Sequence, residues 1–509
     1  MEKGHPKALY YLFFTELWER FSYYGMRALL VLYIVRELYA EMGENAARIR
    51  GFEIYAAFGA LVYATPVLGG MIADKYLGYR KAIIVGSIMM AIGLFMMAVG
   101  TEAFFFAGLG FLVTGNGLFK PNISSMVGAL YPQGDPRRDA GFTIFYMGIN
   151  LGAFLSPLAC GYVAEVYGRV YGFGLAGIGM VLGLIIFMVG IKNGTFGLNG
   201  SKPVTGEGEV KTFGLSKSLW SMILSFLSVP LLIFLIYKSQ LAGYLLYTVL
   251  ALVVFVIGKS FLEIGRVERE KIIAIFILAL FSTVFWAFFE QAGSTITLFA
   301  DKNVNLVFMN AEQSNSINPL FIITLAIPFS MLWTWLAQRK MNPYTPYKFA
   351  FAIAQLGLGF LVFAIGARYA SETGLVPLSF LLIGYFLITT GELFISPIGL
   401  SMVTRLSPAK VVSFMMGVWF LSMSFAQYVA GIIAKFTTRE MTSNGGLLDK
   451  ISAYVTGISP DTISEKGENF GTLLSYTNLF SSIGVIALFV AVISLLSAPL
   501  IRKLMHGEH

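Results

Sequence analysis

The sequence predicts an all-α membrane protein with fourteen transmembrane helices. Of its 509 residues, 57% are hydrophobic and only 13% charged, with a mean hydropathy of +0.74, a balance foreign to a soluble chain. Apolar runs of the ~20 residues needed to cross a bilayer recur along the whole length. Gly (54) and Phe (45) are both abundant, as expected where helices pack closely in lipid through small residues set beside large ones.

Six spans fall near residues 9–35, 51–73, 81–100, 103–130, 141–165 and 172–191. A polar, Gly-rich stretch without periodicity, Lys192 to Lys217, reads as a linker. Two spans follow near 218–237 and 242–262, and the charged segment Glu263 to Lys271 separates them from the rest. The last six lie near 272–300, 315–337, 348–369, 376–403, 411–436 and 470–501. The predicted organisation is an N-terminal six-helix bundle (1–191), a cytoplasmic linker (192–217), two additional helices with a cytoplasmic connector (218–271) and a C-terminal six-helix bundle (272–509). Lys and Arg favour the side that carries both termini by roughly two to one, which predicts cytoplasmic termini. Met1 to Lys7 has no signal-peptide cleavage pattern, so the first span is expected to remain and to target the chain to the membrane.

Composition also narrows the chemistry. The single cysteine, Cys160, excludes an intramolecular disulfide and a cysteine metal site, and its apolar neighbours predict a small packed side chain. The three histidines, His5, His506 and His509, lie at the chain ends. Any proton work at bilayer depth therefore falls to carboxylates. The net charge of +8 comes from lysines and arginines spread over short loops, so no nucleic-acid partner is expected. Nor is a metal or an organic cofactor; the partners expected are solutes, protons and the lipid bilayer, and the chain is expected to be monomeric.

The first span departs from its apolar surroundings. Glu16, Glu19, Arg20, Tyr23 and Arg27 recur at helical spacings and share one face. A charge at bilayer depth costs ~2.5–3.5 kcal/mol on insertion scales, so such groups face a protein interior or a wet cavity. Both signs occur on the face, which permits pairing. Mid-span charges elsewhere are few: Lys120, Glu290 and Glu392. Together these positions hold four carboxylates and three cations. Burial favours the protonated form of the surplus carboxylate, while arginine stays charged. The alternative is a set of fixed ion pairs between helices.

Glu16-Leu17-Trp18-Glu19-Arg20-Phe21-Ser22-Tyr23-Tyr24-Gly25 resembles the ExxERFxYYG signature of the proton-dependent oligopeptide transporter family of the major facilitator superfamily. Phe145-Tyr146-Met147-Gly148-Ile149-Asn150-Leu151-Gly152 resembles the family's fifth-helix FYxxINxG pattern. The run Gly391 to Leu400, with Glu392, Ser396 and Pro397, is similar to its tenth-helix signature. Gly70 to Lys81, with Asp74, Lys75 and Arg80, resembles the superfamily's loop between the second and third helices, which implies a conformational latch. Short likenesses between Leu118–Ser124 and Leu393–Gly399, and between Trp18–Arg20 and Phe289–Gln291, agree with two parallel six-helix repeats. The position of a histidine found in animal members is Ala56 here, which points to a bacterial-type member.

The resemblance implies a major facilitator fold whose first, fourth, seventh and tenth core helices line a central cavity. It implies a proton-coupled symporter of di- and tripeptides that works by alternating access in a bacterial inner membrane, driven by the proton gradient. Glu16, Glu19, Arg20 and Glu290 would couple protons. Arg27 and Lys120 would hold the peptide carboxylate and Glu392 its amine, with Asn150 and Asn318 serving the backbone and amine. Tyr23, Tyr24, Tyr63, Trp286 and Trp419 would form side-chain pockets, with Ser396 beside them, although aromatics at helical spacing more often pack in a core. Arg27 with Glu290, and Lys120 with Glu392, would form gating salt bridges. A relative moving nitrate or a peptide-like drug is the alternative, and a membrane-embedded hydrolase a remote one.

Overall fold

The computed structural model describes all residues except 1–3, 133, 134, 136, 202–210, 213, 214, 262, 263, 397, 398, 409–411, 439–446, 459–467, 508 and 509. The chain forms two compact units, Met1–Tyr39 with Ala57–Ala242, and Ala40–Ala56 with Gly243–His509.

The helices of the first stretch are α1 (Lys7–Tyr33), α2 (Glu44–Ile72), α3 (Tyr79–Met97), α4 (Glu102–Gly128), α5 (Arg138–Tyr167), α6 (Arg169–Lys192) and α7 (Lys217–Tyr237). A two-residue antiparallel ladder, β1 (Lys211–Thr212) with β2 (Leu215–Ser216), precedes α7 in the segment read as a linker. Then come α8 (Ser239–Ser260), α9 (Arg266–Phe289), α10 (Thr295–Asn303), α11 (Ile317–Gln338), α12 (Thr345–Ile365) and α13 (Leu378–Ile395). The chain ends with α14 (Gly399–Leu406), α15 (Val412–Ala434), α16 (Leu447–Thr456) and α17 (Glu468–Leu504). Strands β3 (Val304–Asn305) and β4 (Val376–Pro377) pair in parallel.

Thirteen helices among the described residues are long and apolar enough to cross a membrane. Helix α1 is 27 residues long and differs from these in its charged stripe. Hydropathy places the spans correctly but starts some of them late: α2 begins at Glu44 and α9 at Arg266, because the polar first turns lie outside the apolar run. Two of the predicted spans are interrupted, the second of them at the break that Ser396-Pro397 signals in the sequence. The run read as 272–300 stops at Phe289, passes through a 3-10 turn at Glu290–Gly293 and resumes at Thr295. The run read as 376–403 ends its first helix at Ile395 and resumes at Gly399, with Pro397 and Ile398 outside the described residues. Helix α16 has no counterpart among the predicted spans.

Small residues set the packing of the first unit. Gly86 and Gly93 of α3 meet Gly115 and Gly108 of α4, and a Cβ on either α3 glycine would lie 2.6 Å from the opposing carbonyl oxygen. The seven-residue spacing on both helices keeps these contacts on one seam, the close approach that lipid-embedded helices use in place of a hydrophobic drive. Helix α7 joins the unit through Val229 and Ile233 at Gly110 of α4. In the second unit α12 packs between α13 and α17, and α9 packs on α15. Phe360, Phe363 and Phe480 meet there with ring centroids 5.6–5.7 Å apart. Ala56 is buried against Gly431, whose missing side chain makes room for it.

Candidate functional site

In the first unit the ionic stripe is assembled on α1. Glu16, Glu19, Arg20 and Tyr23 are buried, and Tyr24 and Arg27 are half-buried. Arg20 donates to both oxygens of Glu19, from Nε at 2.5 Å and Nη2 at 2.7 Å. The same Nε lies 3.3 Å from Glu16 Oε1, while Glu16 Oε2 is buried with no hydrogen-bond partner among the described residues. One guanidinium therefore serves two carboxylates, and one carboxylate oxygen is left over. A buried acceptor without a partner costs about 1–3 kcal/mol. A proton on this carboxylate pair would remove the surplus charge.

Other cations sit close by. Lys120 of α4 acts electrostatically on Glu16, and its Nζ is 4.9 Å from the centroid of the Tyr63 ring. Arg20 Cζ lies 5.2 Å from the Tyr23 ring and 6.0 Å from that of Tyr24, and Arg27 Cζ lies 5.9 Å from Tyr24. These three rings, expected to shape side-chain pockets, thus also face the cations, a contact worth ~0.5–2 kcal/mol each. Sequence reasoning missed Asn116, one turn before Lys120 on α4. Its Oδ1 and Nδ2 are buried and have no partner among the described residues. The i, i+4 spacing from Lys120 was the available signal.

Helix α5 fixes where the stripe stands. A Cβ on Gly152 would overlap the Leu17 carbonyl and press on Arg20 Cβ at 3.0 Å, and one on Gly25 would meet Cys160 Sγ at 2.7 Å. The glycines of the two sequence signatures thus let α1 and α5 close on each other beside Arg20. Asn150, two residues before Gly152, donates from Nδ2 to the Tyr146 carbonyl at 3.0 Å, within its own helix. Gly152→Val is expected to lower stability by about 1–3 kcal/mol through overpacking and to depress activity by shifting Arg20. Thermal unfolding of the purified variant checks this, and unchanged unfolding would contradict it.

In the loop between α2 and α3, Asp74 and Lys75 are exposed on a π-helical turn, Ala73–Leu77. Arg80 donates to Asn199 O at 2.7 Å and to Gly197 O at 2.6 Å, while Asn199 Nδ2 donates to Met126 O. Arg80 therefore ties the segment after α6 to α3 and α4.

In the second unit both mid-span carboxylates stand where a helix stops. Glu290 is buried and follows the last residue of α9. Glu392 is buried in the last turn of α13. The negative end of a helix dipole opposes an anion there by roughly 0.3–1 kcal/mol, so a cation or proton relieves both positions. Asn318 of α11 donates from Nδ2 to Glu392 Oε2 and contacts Thr389 Oγ1, each at 2.9 Å. This contact joins two residues that the sequence proposed separately. Gln291, not foreseen, pins the α9 break by donating to Ala430 O at 2.9 Å and accepting from Thr295 Oγ1 at 2.9 Å. Trp286 packs edge-on to Phe285 and Phe289. Trp419 is buried against Gly399, and Ser396 is exposed.

The family model described as PTR2, POT family, matches residues 80–453. The chain is 34% identical over 516 residues to an uncharacterized transporter of Bacillus subtilis, YclF, covering 99% of this chain and 96% of that protein. It is 32% identical over 506 residues to the dipeptide and tripeptide permease A of Serratia proteamaculans, covering 98% and 92%. Its fold is similar to a crystal structure of the peptide transporter POT in complex with sulfate, with a TM-score of 0.78, 35% identity and coverage of 100% and 97%. The two-unit helical fold, the charged first helix and these matches over nearly the whole length lead to one conclusion: this multi-pass membrane protein belongs to the POT family of peptide transporters.

Proposed function

We propose that the chain is a proton-coupled symporter that imports di- and tripeptides by alternating access, and is not a peptidase. The observation that carries this reading is the pair of carboxylates, Glu16 and Glu19, on a single buried arginine in the first unit. The name of the Serratia relative supports the peptide lengths. A di- or tripeptide is a zwitterion of limited length, and its recognition needs a cation, an anion, amides and accommodating apolar walls.

In the proposed cycle a proton joins Glu16 and Glu19, with Arg20 and Glu290 completing the coupling set. Arg27 and Lys120 take the peptide carboxylate, and Glu392, oriented by Asn318, takes the ammonium. Asn150 serves the peptide backbone, and Tyr23, Tyr24, Tyr63, Trp286 and Trp419 accommodate side chains, with Ser396 beside them. Arg27 with Glu290, and Lys120 with Glu392, form salt bridges in one closed state. Protonation and peptide binding open them by competing for the same charges. Asp74, Lys75 and Arg80 act in the conformational change. Both termini face the cytoplasm.

Uptake of labelled di-, tri- and tetrapeptides into proteoliposomes tests the substrate class. Di- and tripeptides should enter intact and tetrapeptides should not. Entry of hydrolysis products alone, or uptake of nitrate without peptides, would overturn the assignment. The carboxylate clamp has its own test. Arg27→Ala and Lys120→Ala should each weaken free-acid peptides about tenfold or more relative to amidated analogues, as expected for losing one charge-assisted partner. Equal losses for both ligand types, measured by competition, would give these cations structural roles.

A further inference from the structure

The loop between α10 and α11 carries an apolar tip that the transport site does not use. Leu306-Val307-Phe308-Met309 is a run of four apolar residues, and Val307 and Phe308 are 74% and 73% exposed. No charged residue occurs from Asn303 to Ala311. A single exposed apolar side chain is ordinary, but a consecutive run held in water is unfavourable and marks a contact surface.

Both ends of the tip are fixed, so it is held out from the unit. Before it, β3 pairs with β4, Val304 beside Val376 and Asn305 beside Pro377. Asn303 Nδ2 donates to the Asn469 carbonyl at 3.1 Å, and Lys302 pairs with Glu44 at 3.3 Å. After the tip, the Asn310 amide donates to Gln313 Oε1 at 2.9 Å and the Gln313 amide to Asn310 Oδ1 at 2.8 Å. This reciprocal pair works like a capping box and sets the entry into α11.

The neighbouring spans give the depth of the tip and so its partner. One apolar span ends at Asn303 and the next begins at Gln313, which leaves the tip between two membrane crossings. Pro377, the partner of Asn305, immediately precedes α13, so the base of the tip lies level with the start of a third span. The span through α12 ends at Tyr369, 62% exposed, and an exposed tyrosine at a span end belongs to the water–lipid boundary. Helix α11, which leads away from the tip, is the least enclosed of the thirteen apolar spans, with 6% of its apolar window buried. Leu320, Ile327 and Met331 are exposed along it, an outer face suited to acyl chains.

We propose that Leu306–Met309 is an interfacial membrane anchor of the second unit. Val307 and Phe308 enter the boundary between headgroups and acyl chains of the surrounding bilayer, and the backbone polar groups of the loop stay paired at its base. The partner is the lipid surface itself, without regard to headgroup charge, because the tip carries none.

The test is the depth of a nitroxide on the full-length protein in proteoliposomes, read by power-saturation electron paramagnetic resonance. Cys160 is buried, so labelling is directed to an introduced cysteine. A label at Met309→Cys should collide with oxygen, which concentrates in lipid, more than with an aqueous nickel chelate. A label at Glu372→Cys, exposed in the turn before β4, should show the reverse order. Adding Val307→Asn/Phe308→Asn to Met309→Cys leaves the label unchanged and should shift its order to that of position 372. Nickel ahead of oxygen at 309 would place the tip in water and overturn the anchor. An oxygen preference that survives the asparagine pair would mean that the label inserts by itself, and overturns the role of Val307 and Phe308. Shielding of 309 from both reagents would make a protein surface the partner and overturn the lipid.

Discussion

Glu19→Gln should abolish accumulation of peptide driven by a proton gradient while peptide exchange across the same membrane continues. Arg20 grips both oxygens of Glu19, and its Nε is shared with Glu16 at 3.3 Å. Glutamine keeps the size and one acceptor of glutamate but cannot gain or lose a proton. The pair then holds one fixed negative charge against one fixed positive charge, as it does after protonation, and the net cycle loses its driving ion. Gradient-driven uptake should fall by about tenfold or more, and exchange of labelled for unlabelled peptide should stay within about twofold. Accumulation at the wild-type level would remove Glu19 from the proton path. Loss of both modes would mean that the amide disturbs Arg20 itself, and Glu16→Gln would then serve as the independent test of the pair.

Glu392→Gln should erase the preference for a free amino terminus. The carboxylate is buried in the last turn of α13, where the helix dipole opposes its charge. Its Oε2 accepts from Asn318, and in the proposed cycle its negative charge meets the ligand ammonium. Removing one partner of a desolvated charge pair costs ~2–5 kcal/mol, so free peptides should weaken by about 30-fold or more while N-acetylated peptides change little. The two classes should then bind with similar weakness. The neutral amide still accepts from Asn318, so normal folding is expected. A stable variant that keeps a strong preference for free termini would contradict the assignment to the amine. A heat-labile variant with unchanged preference would make Glu392 a structural bridge.

Much of this architecture was legible in the sequence because bilayer depth imposes so plain a length and composition on a helix. The α1 stripe was legible for the opposite reason: Glu16, Glu19 and Arg20 break that rule, and their spacing puts them on one face. Spacing could not show how the charges divide. Arg20 lies nearer to Glu19 than to Glu16, and Gly152 of α5 leaves the room beside the Arg20 Cβ. The break beside Glu290 escaped because hydropathy is blind to backbone dihedrals, whereas the one after Glu392 is signalled in the sequence by Ser396-Pro397. At Ser294 the chain leaves the helical region (φ −130°, ψ −89°), with Gly293 as the only local hint. Asn318 was singled out by resemblance, but its bond to Glu392 joins helices far apart in sequence. Arg80 shows the converse. Its motif implies a conformational latch, and its guanidinium donates to the carbonyls of Gly197 and Asn199, partners without any charge pattern to betray them.

The central claim is that proton entry and peptide entry are one event. Proteoliposomes carrying an internal pH dye and supplied with labelled dipeptide allow both to be followed in the same vesicles. The account predicts that each di- or tripeptide entering acidifies the lumen in parallel, that tetrapeptides do neither, and that Glu19→Gln carries peptide down its gradient without acidification. Peptide entry by the wild-type protein with no accompanying acidification would contradict the account.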